Sequence, residues 1–366
     1  MNIKPVRLTI HGLFLLSIIL LVSCLQDSTT TVPTSISEQT ASSETYWPTK
    51  SWRTSTPEEQ GMESEKLAQM LDKVQQQQLQ LHSLLIVRHG YLVSESYFEI
   101  YGPETRHELY SCTKSFTSTL IGIAIDKGFI DRSDHLVMDF FPEQAFNNLD
   151  QQKKEMTLED LLTMRSGLDW EEGDPTYLAM YQSADWVKYV LDLPMAFPPG
   201  SHFTYCSGCS HVLSAIVRQA TGMNPMDYAE QNLFGPLGIS NKNWDTDAEG
   251  IPIGGWGLQL TPRDMVKLGY LFLHDGEWDG NQIISRSWIE NATLSHTGTE
   301  GDLGYGYQWW TFPSPEGYAA LGRYGQMIAV IPGSDLVIVT TAQMDNHDDI
   351  FELIEQYILP ALQETQ

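Results

Sequence analysis

Strand-like segments stand at both ends of this chain, and helix-like segments fill the space between them. Near the start, Leu84-Leu85-Ile86-Val87 and Leu92-Val93 flank His89-Gly90 and read as a hairpin over 84–98. Near the end, Met327-Ile328-Ala329-Val330-Ile331 and Leu336-Val337-Ile338-Val339 flank Pro332-Gly333-Ser334-Asp335 and read as a second strand–turn–strand. Between them, helices are expected over 57–80, after Ser111, from Thr157, over 187–191, after Tyr205 and from Thr261; another closes the chain over 349–363. The economical fold is α/β of the α+β kind. One antiparallel sheet is built from both chain ends and flanked by helices, a helical subdomain is inserted, and a cleft lies between.

Ser111-Cys112-Thr113-Lys114 stands between the first hairpin and the apolar helix that ends at Lys127-Gly128, and it is the only Ser-x-x-Lys among the 366 residues. Residues i and i+3 share a helix face, so the Lys114 amine can reach the Ser111 hydroxyl. A serine becomes a useful nucleophile when a neighbouring base takes its proton. At a helix start its own amide N–H is free to stabilise an oxyanion. One Ser-x-x-Lys is also what chance supplies in a chain this long. Two further segments add context. Gly200-Ser201-His202-Phe203-Thr204-Tyr205-Cys206-Ser207 opens another helix, and Gly322-Arg323-Tyr324-Gly325-Gln326 precedes the last strands.

The N-terminus sets an expectation about compartment. Lys4 and Arg7 precede an apolar run from Leu13 to Val22, too short for a comfortable membrane span and typical of an export signal. Leu21-Val22-Ser23-Cys24 resembles the bacterial lipobox, which implies cleavage before Cys24 and a lipid on its sulfur. Residues 1–24 are therefore expected to be a lipoprotein signal and 25–46 a Ser/Thr-rich tether, with the folded domain over 47–366. The expected location is the cell envelope, on its periplasmic or extracellular face. The net charge is −26, and loss of the signal removes Lys4 and Arg7, making the chain more acidic still. Such a surface repels nucleic acid, so no nucleic-acid partner is expected. Beyond Cys24 the cysteines are Cys112, Cys206 and Cys209. Small packing residues beside a site are the expected role; Cys206-x-x-Cys209 leaves a disulfide open, and no thioredoxin-like context supports redox chemistry.

The ordered motifs resemble the superfamily of serine β-lactamases, penicillin-binding proteins and their esterase relatives, over about 52–362. Leu109-Tyr110-Ser111-Cys112-Thr113-Lys114-Ser115-Phe116, Met164-Arg165-Ser166-Gly167-Leu168, Gly257-Leu258-Gln259-Leu260-Thr261-Pro262-Arg263-Asp264 and Gly304-Tyr305-Gly306-Tyr307-Gln308-Trp309-Trp310 resemble its class C-like branch. The resemblance implies a β-lactamase/transpeptidase-like fold. It makes Ser111 the acylated nucleophile and Lys114 its activator. Tyr205 becomes the second base, held as phenolate by the Lys114 ammonium and shuttling a proton to the leaving group. The oxyanion hole would be the N–H groups of Ser111 and Arg323, with Gln326 as the alternative to Arg323. Trp170 and Trp256 are candidate apolar walls, and Ser207, Gly322 and Gln326 candidate substrate contacts. Two departures matter: Tyr205-Cys206-Ser207 replaces the β-lactamase Tyr-x-Asn, and no lysine stands in the third motif. Both are more similar to 6-aminohexanoate-dimer hydrolases and related carboxylesterases. The implied substrates are small esters or linear amides, with no metal or cofactor. A β-lactamase or D-Ala-D-Ala carboxypeptidase is the alternative, and a penicillin-binding sensor without turnover is the alternative of another class.

Other chemistries fare worse. No Gly-x-Ser-x-Gly elbow and no His-Glu-x-x-His is present. The calcium-loop mimic starting at Asp245 carries Trp256 where a bidentate glutamate is required. His202 and His211 read as surface or boundary residues. Asp169, Glu171, Glu172 and Asp174 read as a solvated acidic loop on the cleft rim, with selection of an amine-bearing substrate as the functional alternative.

Overall fold

The structure, a computed structural model, describes residues 45–299 and 301–363. The expected signal over 1–24 and most of the expected tether lie outside the described residues. From Tyr46 onward the chain forms one unit.

An eight-stranded antiparallel sheet joins the two chain ends. Its strands are β1 (Leu81–Arg88), β2 (Tyr91–Tyr97), β3 (Thr297–Gly298), β4 (Gly304–Tyr305), β5 (Trp310–Pro313), β6 (Glu316–Gly322), β7 (Gln326–Ile331) and β8 (Leu336–Ala342), in the order β2-β1-β8-β7-β6-β5-β4-β3. The first hairpin turns at His89-Gly90, both at positive φ, as its sequence predicts. Successive side chains of a strand point to opposite faces, and here both faces are covered. Leu84, Ile86, Met327, Ala329 and Ile338 enter one core; Leu85, Val87, Ile328, Val330, Val337 and Val339 enter the other. Double burial explains why these strands read as continuous apolar runs. Each fully buried aliphatic side chain contributes about 1.5–3 kcal/mol.

The first core is covered by terminal helices. α1 (Ser64–Gln76) presents Leu67, Met70 and Val74, and α8 (Asp348–Leu353), extended by helical turns to Ala361, presents Ile350, Leu353 and Ile358. The expected helix over 57–80 is shorter than that. Gln78 takes a left-handed backbone and turns the chain into β1.

The larger core joins the sheet to the inserted helical region: α2 (Thr113–Asp126), α3 (Leu158–Leu162), α4 (Asp174–Gln182), α5 (Trp186–Asp192), α6 (Ser207–Thr221) and α7 (Pro262–Leu273). α2 is buried from Thr113 to Ala124. Two of its hydroxyls bond to carbonyls across the core, Ser115 to that of Gln308 at 2.7 Å and Thr117 to that of Gly254 at 2.9 Å. α3 opens on a Thr157–Asp160 capping box, and α6 ends at Gly222 with a left-handed cap. α7 lies on β7 and β8, where a Cβ on Gly269 would come within 2.7 Å of the Val337 side chain.

Candidate active site

Ser111 lies in a single 3₁₀ turn, Tyr110–Cys112, that runs straight into α2. Tyr110 has φ +46°, a left-handed backbone that costs a tyrosine about 1–3 kcal/mol. Its ring packs edge-on against Tyr324, 5.2 Å between centroids. Lys114 follows one turn later. Its Nζ donates to Ser111 Oγ at 3.0 Å, Ser207 Oγ at 2.9 Å and the Gly255 carbonyl at 2.8 Å. Gly254 and Gly255 are what bring that carbonyl in. A Cβ on Gly254 would lie 2.0 Å from the Ser210 carbonyl, and one on Gly255 2.8 Å from the Ser207 carbonyl.

Lys114 is 1% exposed. Burial lowers its pKa to about 8, against the opposing pull of Glu172 and Cys112. A neutral amine is thus within reach near neutral pH. Tyr205 stands just before α6, its ring 4.9 Å from Lys114 Nζ and stacked on Trp310 at 5.9 Å. Burial pushes its hydroxyl well above the usual phenol range. A hydrogen bond with the Ser111 side chain lowers it, and Glu172 and Cys112 push it higher. This corrects the expected phenolate: burial disfavours charge on both groups, so the phenol stays protonated and Lys114 is the group that can lose its proton.

β6 and β7 close on the same turn. Gly322 pairs with Gln326 around a three-residue loop, Arg323–Gly325. A Cβ on Gly322 would lie 2.3 Å from the Leu109 carbonyl, so only glycine lets β6 pack this closely on the turn that carries Ser111. The Arg323 side chain is exposed, its guanidinium 4.7 Å from the Tyr324 ring centroid.

Several expected substrate contacts take other roles. Gln326 is buried, and its amide donates to the Arg323 and Ala342 carbonyls at 3.0 and 2.8 Å and accepts from the Ala342 N–H. It holds the hairpin rather than a ligand, because every polar atom of its side chain is engaged by backbone. Ser207 is likewise buried and binds Lys114. Gly322 serves close packing. Trp170 is 5% exposed and lies under the loop, where a Cβ on Gly208 would meet its ring at 2.5 Å, so it is no wall of an open pocket. Trp256 fits its expected place better. It is half-buried, one residue from Gly255, among Tyr177, Tyr181 and Trp186 at 5.4–6.2 Å.

The disulfide that the spacing left open is formed, joining Cys206 and Cys209 at the start of α6, while Cys112 is a buried free thiol, as expected of a small packing residue beside the site. Two features escaped the sequence reading. His211 is fully buried and paired with Asp247 at 3.0 Å, not at a boundary; His202 is exposed as expected. Glu172 reaches back from its loop to bind Ser207, 35 residues away, so the solvated-loop reading fails for this member of the acidic cluster. Contacts this distant in sequence leave no periodic or spacing signal.

A profile of the β-lactamase family matches residues 58–362. The 6-aminohexanoate-dimer hydrolase of Paenarthrobacter ureafaciens is 26% identical over 322 residues, 80% of this chain and 81% of that protein. Among solved structures, a family VIII carboxylesterase superposes with a TM-score of 0.67 at 15% identity, covering 84% of this chain and 98% of that one. A class C β-lactamase mutant superposes with a TM-score of 0.66 at 16% identity, covering 82% and 97%. At those identities the structures establish the fold alone. With the family profile spanning both sheet and helical region, the chain is a serine hydrolase belonging to the β-lactamase family.

Proposed function

We propose that this protein hydrolyses small carboxylic esters, and linear amides of similar size, through an acyl-enzyme on Ser111. The observation that carries the reading is the buried Lys114 amine 3.0 Å from the Ser111 hydroxyl, with a pKa low enough to reach its neutral form. In the first step neutral Lys114 takes the Ser111 proton as Ser111 Oγ adds to the substrate carbonyl. The oxyanion then faces the N–H groups of Ser111 and Arg323. The Lys114 ammonium passes its proton through the neutral Tyr205 hydroxyl to the leaving oxygen or nitrogen, and the alcohol or amine departs. Water attacks the acyl-enzyme with the same relay run in reverse.

The absence of a lysine in the third motif argues against carboxylate-gripping penicillin or peptide substrates, and the likeness to a 6-aminohexanoate-dimer hydrolase supports amides beside esters. Trp256 and the 48% exposed Tyr181 offer an aromatic face to an apolar acyl or alcohol group. The test is stopped-flow hydrolysis of p-nitrophenyl butyrate by residues 45–366. Steady turnover that vanishes in Ser111→Ala is expected. A rate unchanged in that variant refutes the proposal, and a stoichiometric burst without turnover marks a sensor instead.

The export signal and Leu21-Val22-Ser23-Cys24 support a lipid-anchored envelope location. Labelled palmitate entering the wild type but not Cys24→Ala is the expected result, and equal labelling of both would refute the anchor.

A further inference from the structure

Glu172 is exposed at the loop surface, yet its carboxylate reaches inward and receives four hydrogen bonds. Trp170 Nε1 donates at 2.6 Å, the Ser207 amide at 3.0 Å, the Ser207 hydroxyl at 2.5 Å, and the Tyr177 hydroxyl is the fourth donor. The donors come from the loop itself, from α4 and from the first turn of α6. They are divided two to each oxygen, so the carboxylate is taken up by the protein and does not wait for a substrate ammonium.

The Ser207 hydroxyl has one proton, and it goes to Glu172. Only lone pairs are left to face Lys114 Nζ, 2.9 Å away. The Gly255 carbonyl is likewise only an acceptor. A neutral amine has two N–H groups and one lone pair. With both N–H groups directed at Ser207 and Gly255, the lone pair falls on the remaining partner, the Ser111 hydroxyl. That is the orientation a base requires.

We propose that Glu172 is a positioning residue of the reaction: it fixes the direction of the hydrogen-bond chain from Lys114 through Ser207 and so aims the Lys114 lone pair at Ser111. The proposal rests on the serine-hydrolase reading above. A glutamine at this position could turn its NH₂ toward Ser207, release the Ser207 proton toward Lys114, and swing the lone pair away. The charge acts on the same pair. The titratable groups around Glu172 and Lys114 are Cys112 beside α2, Tyr177 on α4, Tyr205 before α6 and Tyr305 on β4. Among them Glu172 is the carboxylate that favours the Lys114 ammonium.

The test is the pH dependence of Ser111 labelling by an alkyl fluorophosphonate, in which Ser111 Oγ bonds phosphorus, fluoride leaves and the serine proton goes to Lys114. In Glu172→Gln the plateau rate should fall about tenfold or more. Its acid limb should move to lower pH by about one unit, because the charge that favours the ammonium is gone. Glu172→Asp should return the limb to its wild-type position. Ser207→Ala, which keeps the carboxylate, should lose rate with the limb unmoved, and it carries the test if Glu172→Gln does not fold. An unmoved limb in Glu172→Gln, or wild-type labelling in Ser207→Ala, overturns the proposal. So does a raised KM for p-nitrophenyl butyrate at unchanged kcat in Glu172→Gln, which would mark a substrate contact. A wild type that does not label at all overturns the serine-hydrolase reading, and this proposal with it.

Discussion

Lys114 shows what burial does to a single side chain. Its amine keeps three hydrogen-bond partners but loses water, and its pKa falls to about 8. The base form is the neutral one, so activity is low below this value and rises as pH increases through it. The kcat/KM profile for p-nitrophenyl butyrate should therefore show an acid limb near pH 8, and Lys114→Arg, which stays charged, should have no limb and almost no activity. A limb between pH 4 and 5 would instead place a carboxylate in the role of base. The Ser111–Lys114 pair was legible in the sequence because its spacing is local and helical. Tyr205 was legible through resemblance to a family, not through spacing. Glu172 was hidden because an acidic loop looks the same whether its carboxylates meet water or turn back on a serine 35 positions later. The charge state of Tyr205 was misjudged because the sequence carries no measure of its burial.

Among the elements, the β6–β7 hairpin is the most constrained. Glycine at 322 allows the Leu109 carbonyl to lie where a Cβ would be, and Gln326 ties the loop to the end of β8. Gly322→Ala should push the hairpin off the Ser111 turn and lower kcat by about 10²-fold, the scale of losing one oxyanion donor, with KM little changed. Steady-state kinetics check this; an alanine variant with wild-type kcat would remove the Arg323 N–H from the proposed hole. The central strands and both hairpins at the chain ends were legible as apolar runs. β3 and β4 were not, since two-residue strands are too short to show alternation. β6 reads poorly for another reason. Its Gly317 and Gly322 are there for close approach, to the Phe312 ring and the Leu109 carbonyl, and both lower strand propensity.

Across the whole molecule, the sheet joins residues far apart in sequence. β8 lies between β1 and β7, pairing Leu85 with Val339 on one side and Ile328 with Val339 on the other. Just beyond, Glu63 N–H bonds the Ala361 carbonyl at 2.8 Å and Gln363 N–H bonds the Gly61 carbonyl at 2.9 Å. A chain ending at residue 335 lacks the strand that connects the first hairpin to the rest of the sheet. It should show no cooperative melting transition and no fluorophosphonate labelling; a cooperative transition would mean that the inserted helical region and β1–β7 are self-sufficient. The two-ended sheet was the most legible large-scale feature, because double burial leaves its central stretches, 84–87, 327–331 and 336–339, without polar residues.

That pairing also sets an order of events. A ribosome delivers Ser111 and Lys114 early, the 322–326 hairpin late and β8 later still. The emerging polypeptide therefore holds its nucleophile long before it holds the strand that completes the catalytic architecture, and hydrolytic power is expected only once β8 has been made.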